Sequence, residues 1–372
     1  MRQEKVAIID PIGSKAGLDV YDKALLNALQ QLEVKGYLYS DCQWPEYPER
    51  SFPFFSDIIG HRFSDIVLRP LRFLKVLRHA LKQKCSTVIF HVFHFNKMDE
   101  WMFRKVKASG LKLILIVHDV ESFVQETNSV RLKNICEQLA DILVVQNNFT
   151  AEELRQIISE EGSVKIRLIP HGHFLSLSAG GQDKKTCREI LQLDPEKPLV
   201  IFFGMIKPTK GLDQLFHAWK DVRTNAILLV AGRLRNMSFA PFQKIIKEDL
   251  QEKDLRMMIR KINNTERDLL FRAADVIVLP YTRIYQSGVL LMALSYKLPV
   301  IATRLRGFEE IIQNEKNGLL VDVGNVKLLS DAIDKLCGDP ELRKKMAENG
   351  LKTLKMNHDW DRIASLYKAI LF

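Results

Sequence analysis

No apolar run in this sequence approaches the ~18 residues that a helix needs to cross a bilayer. Its opening, MRQEKVAIID, has charges where a secretory leader would be apolar, and reads as a lead into a strand. Cysteine is scarce. Cys42, Cys85, Cys136, Cys187 and Cys337 are scattered, odd in number and without a CxxC pair. That argues against a disulfide framework or a structural zinc site and points to a reducing compartment. No block recurs at a fixed period, and the basic residues are not interleaved with exposed aromatics, which leaves nucleic-acid binding unsupported. Acid is the scarcer charge, with 45 acidic against 55 basic residues and a formal net charge of +10. Such a balance selects anionic partners such as nucleotides, phosphates or a membrane surface, without choosing among them.

At 372 residues, 47% of them apolar and 27% charged, the chain is globular in composition and too long for one ordinary core. Two domains of about 150–200 residues are expected. Strand-like runs alternate with amphipathic helices throughout, and that alternation makes a parallel, doubly wound sheet. VAIID leads through PIGSKAG into a helix carrying Leu18, Tyr21, Leu25, Leu26 and Leu29 at helical spacing. STVIFHVF, LKLILIVHDV and DILVVQ follow as buried strands, the last leading to a helix with Thr150 as its expected cap. Composition changes from residue 175 towards Ser, Gly and charge, so residues 1–178 form the first domain and 179–196 the linker. PLVIFFG, AILLVAG, DVIVLP, PVIAT and GLLV then build a second sheet over residues 197–355. A terminal helix over 356–372 carries Trp360, Ile363, Leu366, Tyr367 and Ile370 on one face and should dock on a core.

In doubly wound sheets the ligand crevice lies at the carboxyl ends of the strands. His118 and Asp119 fall there after LILIV, with His91 and His94 similarly placed after another strand, and His171, Gly172 and His173 after LIP. The strongest signal is FFGMIKPTKGLDQL, followed downstream by LPYTRIYQSGVLLMALSYKLPVIAT. Each is a strand feeding a polar, Gly-bearing loop and a helix, a unit that aims backbone N–H groups and a helix N-terminus at an anion. A basic helix past Pro70, with Leu71, Leu74, Leu77 and Leu81 as its apolar stripe, spreads Arg72, Lys75, Arg78 and Lys82 over the rest of its surface. It is either a solvated outer helix or a contact over residues 69–84 for an anionic membrane.

These motifs, in this order, carry a resemblance. IVHDV (116–120), IPHG (169–172), FFGMIKPTKGLDQL (202–215), NNTERDLLFRAADVIVLPY (263–281), YQSGVLLMALSYKLPVIAT (285–303) and GFEEIIQNEKNGLLV (307–321) resemble the retaining nucleotide-sugar glycosyltransferases of family 4, the glycosyl transferases group 1. The resemblance implies a GT-B architecture: two Rossmann-like α/β domains facing across a cleft, with the C-terminal helix returning to the first. It further implies a retaining, metal-independent transferase moving a hexose from a UDP- or GDP-sugar, as substrate rather than cofactor, to a glycan or lipid-linked acceptor in cell-surface polysaccharide synthesis. The enzyme would be cytoplasmic, on the inner face of the membrane. His118 matches the histidine near the transferred sugar, and Lys210 the lysine that neutralises the donor diphosphate. Ser287, Gly288, Val289 and Leu290 match the diphosphate loop, and Gly17 the glycine of the N-terminal loop.

The chain departs from the pattern in two places. The family's arginine after the FFG strand is Met205 here, and Lys207 is expected to cover for it. The paired glutamates around the diphosphate loop fall on Ile284 and Met292, which cannot grip ribose hydroxyls as carboxylates do. Arg283, Gln286 and Glu266 are the nearest polar substitutes. A sugar-nucleotide epimerase and a non-catalytic partner subunit therefore stay open as alternatives.

Overall fold

The computed structural model describes residues 4–13, 18–56, 62–120 and 128–371, and for 62–67 the backbone alone. The chain divides into two units, one comprising Met1–Gly172 with His358–Phe372 and the other His173–Asn357. Each holds a single, wholly parallel sheet. In unit 1 the strands are β1 (Lys5–Ile9), β2 (Lys35–Tyr39), β3 (Ser51–Phe52), β4 (Thr87–Val92), β5 (Lys112–Val117), β6 (Ile142–Val145) and β7 (Ile166–Leu168), in the order β3-β2-β1-β4-β5-β6-β7. In unit 2 they are β8 (Leu199–Phe203), β9 (Ile227–Ala231), β10 (Leu255–Met258), β11 (Val276–Leu279), β12 (Val300–Thr303) and β13 (Leu319–Val321), in the order β10-β9-β8-β11-β12-β13. Both sheets reverse their order beside the first strand of the unit, between β1 and β4 and between β8 and β11. Connections on the two sides of such a point run to opposite faces, leaving a crevice outside the strand ends.

The strands read as continuous apolar runs because helices cover both faces. β4, β9, β11 and β12 are buried along their whole length, whereas the outer strands β7 and β10 are partly exposed. In unit 1 the terminal helix Trp360–Leu371 places Ile363, Tyr367, Ile370 and Leu371 in one core with Val6, Ile8, Leu25 and Leu29. The hydroxyls of Tyr21 and Tyr367 meet at 2.9 Å inside that core, and Thr87 Oγ1 donates to the Leu371 carbonyl at 2.9 Å. Unit 2 packs Trp219, Phe216, Val278 and Ile333 into a core of its own.

Several local expectations shift. Asn147, not Thr150, caps the helix Asn148–Ile157, its Oδ1 accepting from the Thr150 amide at 2.7 Å. Residues 179–196 are not a bare linker but hold the helix Lys184–Ile190, fastened to unit 2 where Arg188 Nε donates to the Ala273 carbonyl at 3.0 Å and pairs with Asp275. The basic helix spans Arg62–Lys82, so Pro70 lies inside it and not in its first turn. Its buried face is Phe73, Val76, Leu77 and Ala80, rotated from the leucine stripe that spacing suggested. A large aromatic at 73 takes the core position. Leu71 and Leu81 are left 54% and 41% exposed, on the side that also carries exposed Lys75, Arg78 and Lys82.

Candidate active site

In unit 2 the loops after β8 and β11, which flank the reversal point, are locked together by backbone. Gly204, at φ 120°, ends β8, and a Cβ there would lie 3.5 Å from Val289 Cγ2. The short 3-10 turn Pro208–Lys210 then ends on Gly211 at φ 63°, a left-handed conformation that glycine adopts without a Cβ penalty. A Cβ on Gly211 would come within 1.9 Å of the Pro280 carbonyl oxygen, so glycine is needed there for close approach as well. The Thr282 amide donates to the Thr209 carbonyl at 3.0 Å, and Lys210 Nζ stands 3.5 Å above the centroid of the buried Tyr281 ring. That cation–π contact aims a long, otherwise mobile side chain at one place. Lys207, immediately before the turn, is half-buried.

The helix Gly288–Ser295 begins at the end of the second loop, capped by buried Ser287, whose Oγ accepts from the Leu290 amide at 3.2 Å. Leu290 therefore has its amide engaged. The amides of Gly288 and Val289 have no acceptor among the described residues and sit at the positive end of the helix dipole. Gly288 leaves open space, with nothing nearer than 3.9 Å to a would-be Cβ. Lysines and unengaged amides at a helix N-terminus are the groups that an anion with more than one charge requires.

One basic group at this place was not read from the sequence. Arg235, in the loop after β9, has its Nη1 3.5 Å from the Met205 sulfur. Parallel pairing carries the loops past the strand ends together: the Ile206 amide donates to the Arg233 carbonyl and the Arg235 amide to the Ile206 carbonyl, both at 2.9 Å. A guanidinium thus arrives beside the position where arginine was missing. Spacing could not show it, because the two residues are 30 apart in the chain.

The proposed ribose contacts are less well assembled. Ile284, Gln286 and Met292 are half-buried and Arg283 is exposed. Glu266 has a structural duty. It closes a capping box with Asn263 on the helix Asn264–Ala273 and grips Arg260 through both oxygens, at 2.6 and 2.9 Å. The Arg260 hydrogen bonds hold its carboxyl down at about 2.

Unit 1 brings a different set together at its own reversal point. His91, within β4, and His118, just past β5, are both buried, with His91 Nδ1 2.8 Å from His118 Nε2. His91 Nε2 lies 2.8 Å from Oδ1 of Asp22, in the first turn of the helix Asp19–Gln31. Asp10, directly after β1, is fully buried beside them. Burial, reinforced by the charge of Asp22, pushes the Asp10 carboxyl up to about 7, and burial pushes Asp22 up to about 8. Burial also lowers His91, His118 and His171, the last to about 4, which favours the neutral form of all three imidazoles. His171 and His358 are pinned by carbonyls, their Nδ1 atoms donating to Gly172 and His171 at 2.6 and 2.7 Å. His94 is exposed and Asp119 half-buried. Gly17 lies outside the described residues. Among those described, no three His, Cys, Asp or Glu side chains converge as a metal site would require.

Comparison with known proteins agrees with the two-unit division. Residues 183–353 match the family described as glycosyl transferases group 1, and residues 90–165 match the glucosyltransferase 3-like N-terminal domain. A D-inositol 3-phosphate glycosyltransferase of Corynebacterium efficiens is 27% identical over 282 residues, covering 68% of this chain and 65% of its own. The chain spans about half to two thirds of the length of the first curated relatives it matches. Among solved structures, a sucrose-phosphate synthase from Thermosynechococcus elongatus superposes with a TM-score of 0.79 at 21% identity, covering 99% of both chains. Anabaena HepE in complex with UDP-glucose superposes at 0.78 with 14% identity, covering 98% of this chain and 99% of its own. Two Rossmann-like parallel sheets of matching strand order give the chain the GT-B fold, and most of unit 2 matches the glycosyl transferases group 1 family.

Proposed function

We propose that the protein is a retaining glycosyltransferase that moves a hexose from a UDP- or GDP-sugar to a glycan or lipid-linked acceptor. The observation that carries this reading is the union of the Lys210–Gly211 turn with the Ser287-capped helix at the reversal point of the unit 2 sheet. A nucleotide sugar leaves as a nucleoside diphosphate, so charge grows on the outer phosphate as the glycosidic bond breaks. Donors fixed in advance around that charge stabilise it without reorganising. Lys207, Lys210, Arg235 and the Gly288 and Val289 amides are such donors, and no step requires a divalent cation. The acceptor hydroxyl attacks from the face that the diphosphate vacates, which retains the anomeric configuration, and a departing phosphate oxygen takes its proton.

On this reading His118 stands at the transferred sugar in unit 1, and Gly17 contributes to donor binding. Arg283 and Gln286 contribute to nucleotide binding. The complex of HepE with UDP-glucose supports a uridine donor by analogy, and a capsular polysaccharide biosynthesis glycosyltransferase of Staphylococcus aureus among the relatives supports a cell-surface product. No described helix is long and apolar enough to cross a membrane. A lipid-linked acceptor would be met at the inner membrane face through the helix Arg62–Lys82, whose outer side mixes Leu71 and Leu81 with Lys75, Arg78 and Lys82.

A screen of UDP- and GDP-hexoses by thermal shift tests the donor site, since a ligand that binds the native state raises its melting point. Lys210→Ala should abolish the shift and lower turnover by roughly 10²–10³-fold, as removal of one preorganised donor does elsewhere. Turnover near wild type would remove the phosphate role. A second reading, a non-catalytic partner subunit, is favoured by one observation. The positions of the family's two glutamates are filled by apolar, half-buried Ile284 and Met292. Donor binding without turnover on any acceptor would select it.

A further inference from the structure

The donor-site reading makes no use of Asp10, Asp22 and His91, yet these residues are among the most completely buried polar groups in unit 1. Asp10 Oδ2 and Asp22 Oδ2 are both buried without a hydrogen-bond donor, and the two carboxyls are close enough to act on each other. Two ionised carboxylates in that position would repel with little water to screen them. One proton shared between them resolves both the repulsion and the two orphaned oxygens, as in other buried carboxyl pairs.

The position of that proton dictates the rest of the chain. With it held between Asp10 and Asp22, Asp22 Oδ1 can only accept, so His91 must donate to it from Nε2. A neutral imidazole carries one N–H, which leaves His91 Nδ1 bare. His118 must then donate to that nitrogen from its own Nε2, across the 2.8 Å gap. The reverse assignment needs the proton on Asp22 Oδ1 and leaves the two Oδ2 atoms together with none. His118 is also prevented from turning. Its ring lies nearly parallel to Phe93 at 4.4 Å and 7°, and to His91 at 5.1 Å and 13°. Among the described residues its Nδ1 has no hydrogen-bond partner.

We infer that Asp22, acting through His91, holds His118 in its Nε2–H tautomer and so presents His118 Nδ1 to the substrate as a hydrogen-bond acceptor for a sugar or acceptor hydroxyl. Asp22 and His91 are positioning residues, and Asp10 supplies the site that keeps the proton away from Asp22 Oδ1. The functional half of this inference rests on the proposal that His118 stands at the transferred sugar. The tautomer half does not.

Long-range proton–nitrogen NMR on the full chain with labelled histidine tests the tautomer directly, because it reads which ring nitrogen carries the proton. His171 and His358 serve as internal standards and should report Nδ1–H, since each donates from that atom to a carbonyl. His91 and His118 should report Nε2–H and stay neutral near pH 7. A His118 with the proton on Nδ1, or a charged or averaging ring, overturns the inference without any variant being made. His91→Phe keeps the ring stack and deletes the link. In it, His118 should begin to average between tautomers while His171 and His358 do not change, and a His118 that keeps Nε2–H shows that His91 is not what holds it. The same variant should lose about 10²-fold in kcat with KM nearly unchanged. Averaging with wild-type kcat overturns the functional half. Failure of the wild-type chain to turn over any nucleotide sugar counts against the glycosyltransferase reading alone, and the tautomers still decide this one.

Discussion

Gly211→Ala isolates the contact on which the proposed donor site depends. Two penalties apply. The backbone at φ 63° is left-handed, which disfavours a Cβ by about 1 kcal/mol. The Cβ would also sit 1.9 Å from the Pro280 oxygen, where ordinary contact begins at 3.4 Å, so the two loops must separate by about 1.5 Å (3.4 minus 1.9). Backbone cannot swing aside as a side chain can, and forced overpacking of this kind costs about 1–3 kcal/mol. Gly324→Ala is the control. It also lies in unit 2 at a positive φ of 82°, but a Cβ there meets nothing within 4 Å, so it carries the first penalty without the second. The gain from a stiffer unfolded chain is common to both and cancels. The difference of about 2 kcal/mol corresponds to about 4–8 °C in Tm for a domain of this size. By calorimetry Gly211→Ala should therefore melt about 4–8 °C below Gly324→Ala. Because Lys210 is tethered to the displaced turn, affinity for the nucleotide sugar that gives the largest shift should also fall about tenfold or more in the first variant and not in the second. A pair that melts within about 1 °C of each other, with equal affinities, refutes the claim that the Gly211–Pro280 approach sets the Lys210 position.

Three further outcomes follow from other parts of the molecule. Arg235 is exposed, with its guanidinium against Met205, so Arg235→Ala should leave Tm within about 1 °C and weaken nucleoside diphosphate binding by several-fold in calorimetric titration; unchanged affinity would return the work of the absent arginine to Lys207 alone. Asp10 and Asp22 have folded values of about 7 and 8, above the ordinary 3.8, so the native state binds protons that the unfolded chain has released. Their contribution is full below about pH 4 and is lost as pH rises through about 7–8, so denaturant midpoints should fall across that window and Asp22→Asn should flatten the slope; a midpoint that rises there contradicts the shared proton. Flotation with anionic vesicles should retain the wild-type chain and lose it when Lys75, Arg78 and Lys82 are neutralised together; retention of that variant would remove the membrane role of this helix.

The two glycine-bearing loops of unit 2 were legible as strand-turn-helix units because their information is local. A strand, a Gly-bearing turn with a lysine, and a Ser-capped helix are each written in a dozen consecutive residues, and their order carried the family resemblance. The basic helix was legible in existence but not in orientation. Its leucines and Phe73 compete for the core, and only packing shows that Phe73, Val76 and Leu77 win. Glu266 looked available for ribose because its charge is visible in sequence while its grip on Arg260 is not.

What the sequence determined by itself was the alternation of strand and helix, the separation into two sheets and the place of the glycine-bearing loops, all of which rest on periodicity and on neighbours within a few residues. Only the tertiary structure brought Arg235 to Met205, set Lys210 on Tyr281, and joined Asp10, Asp22, His91 and His118 into one buried chain. The reason is the parallel sheet itself. It places the carboxyl ends of strands distant in sequence side by side, and no spacing along the chain records which ends those will be.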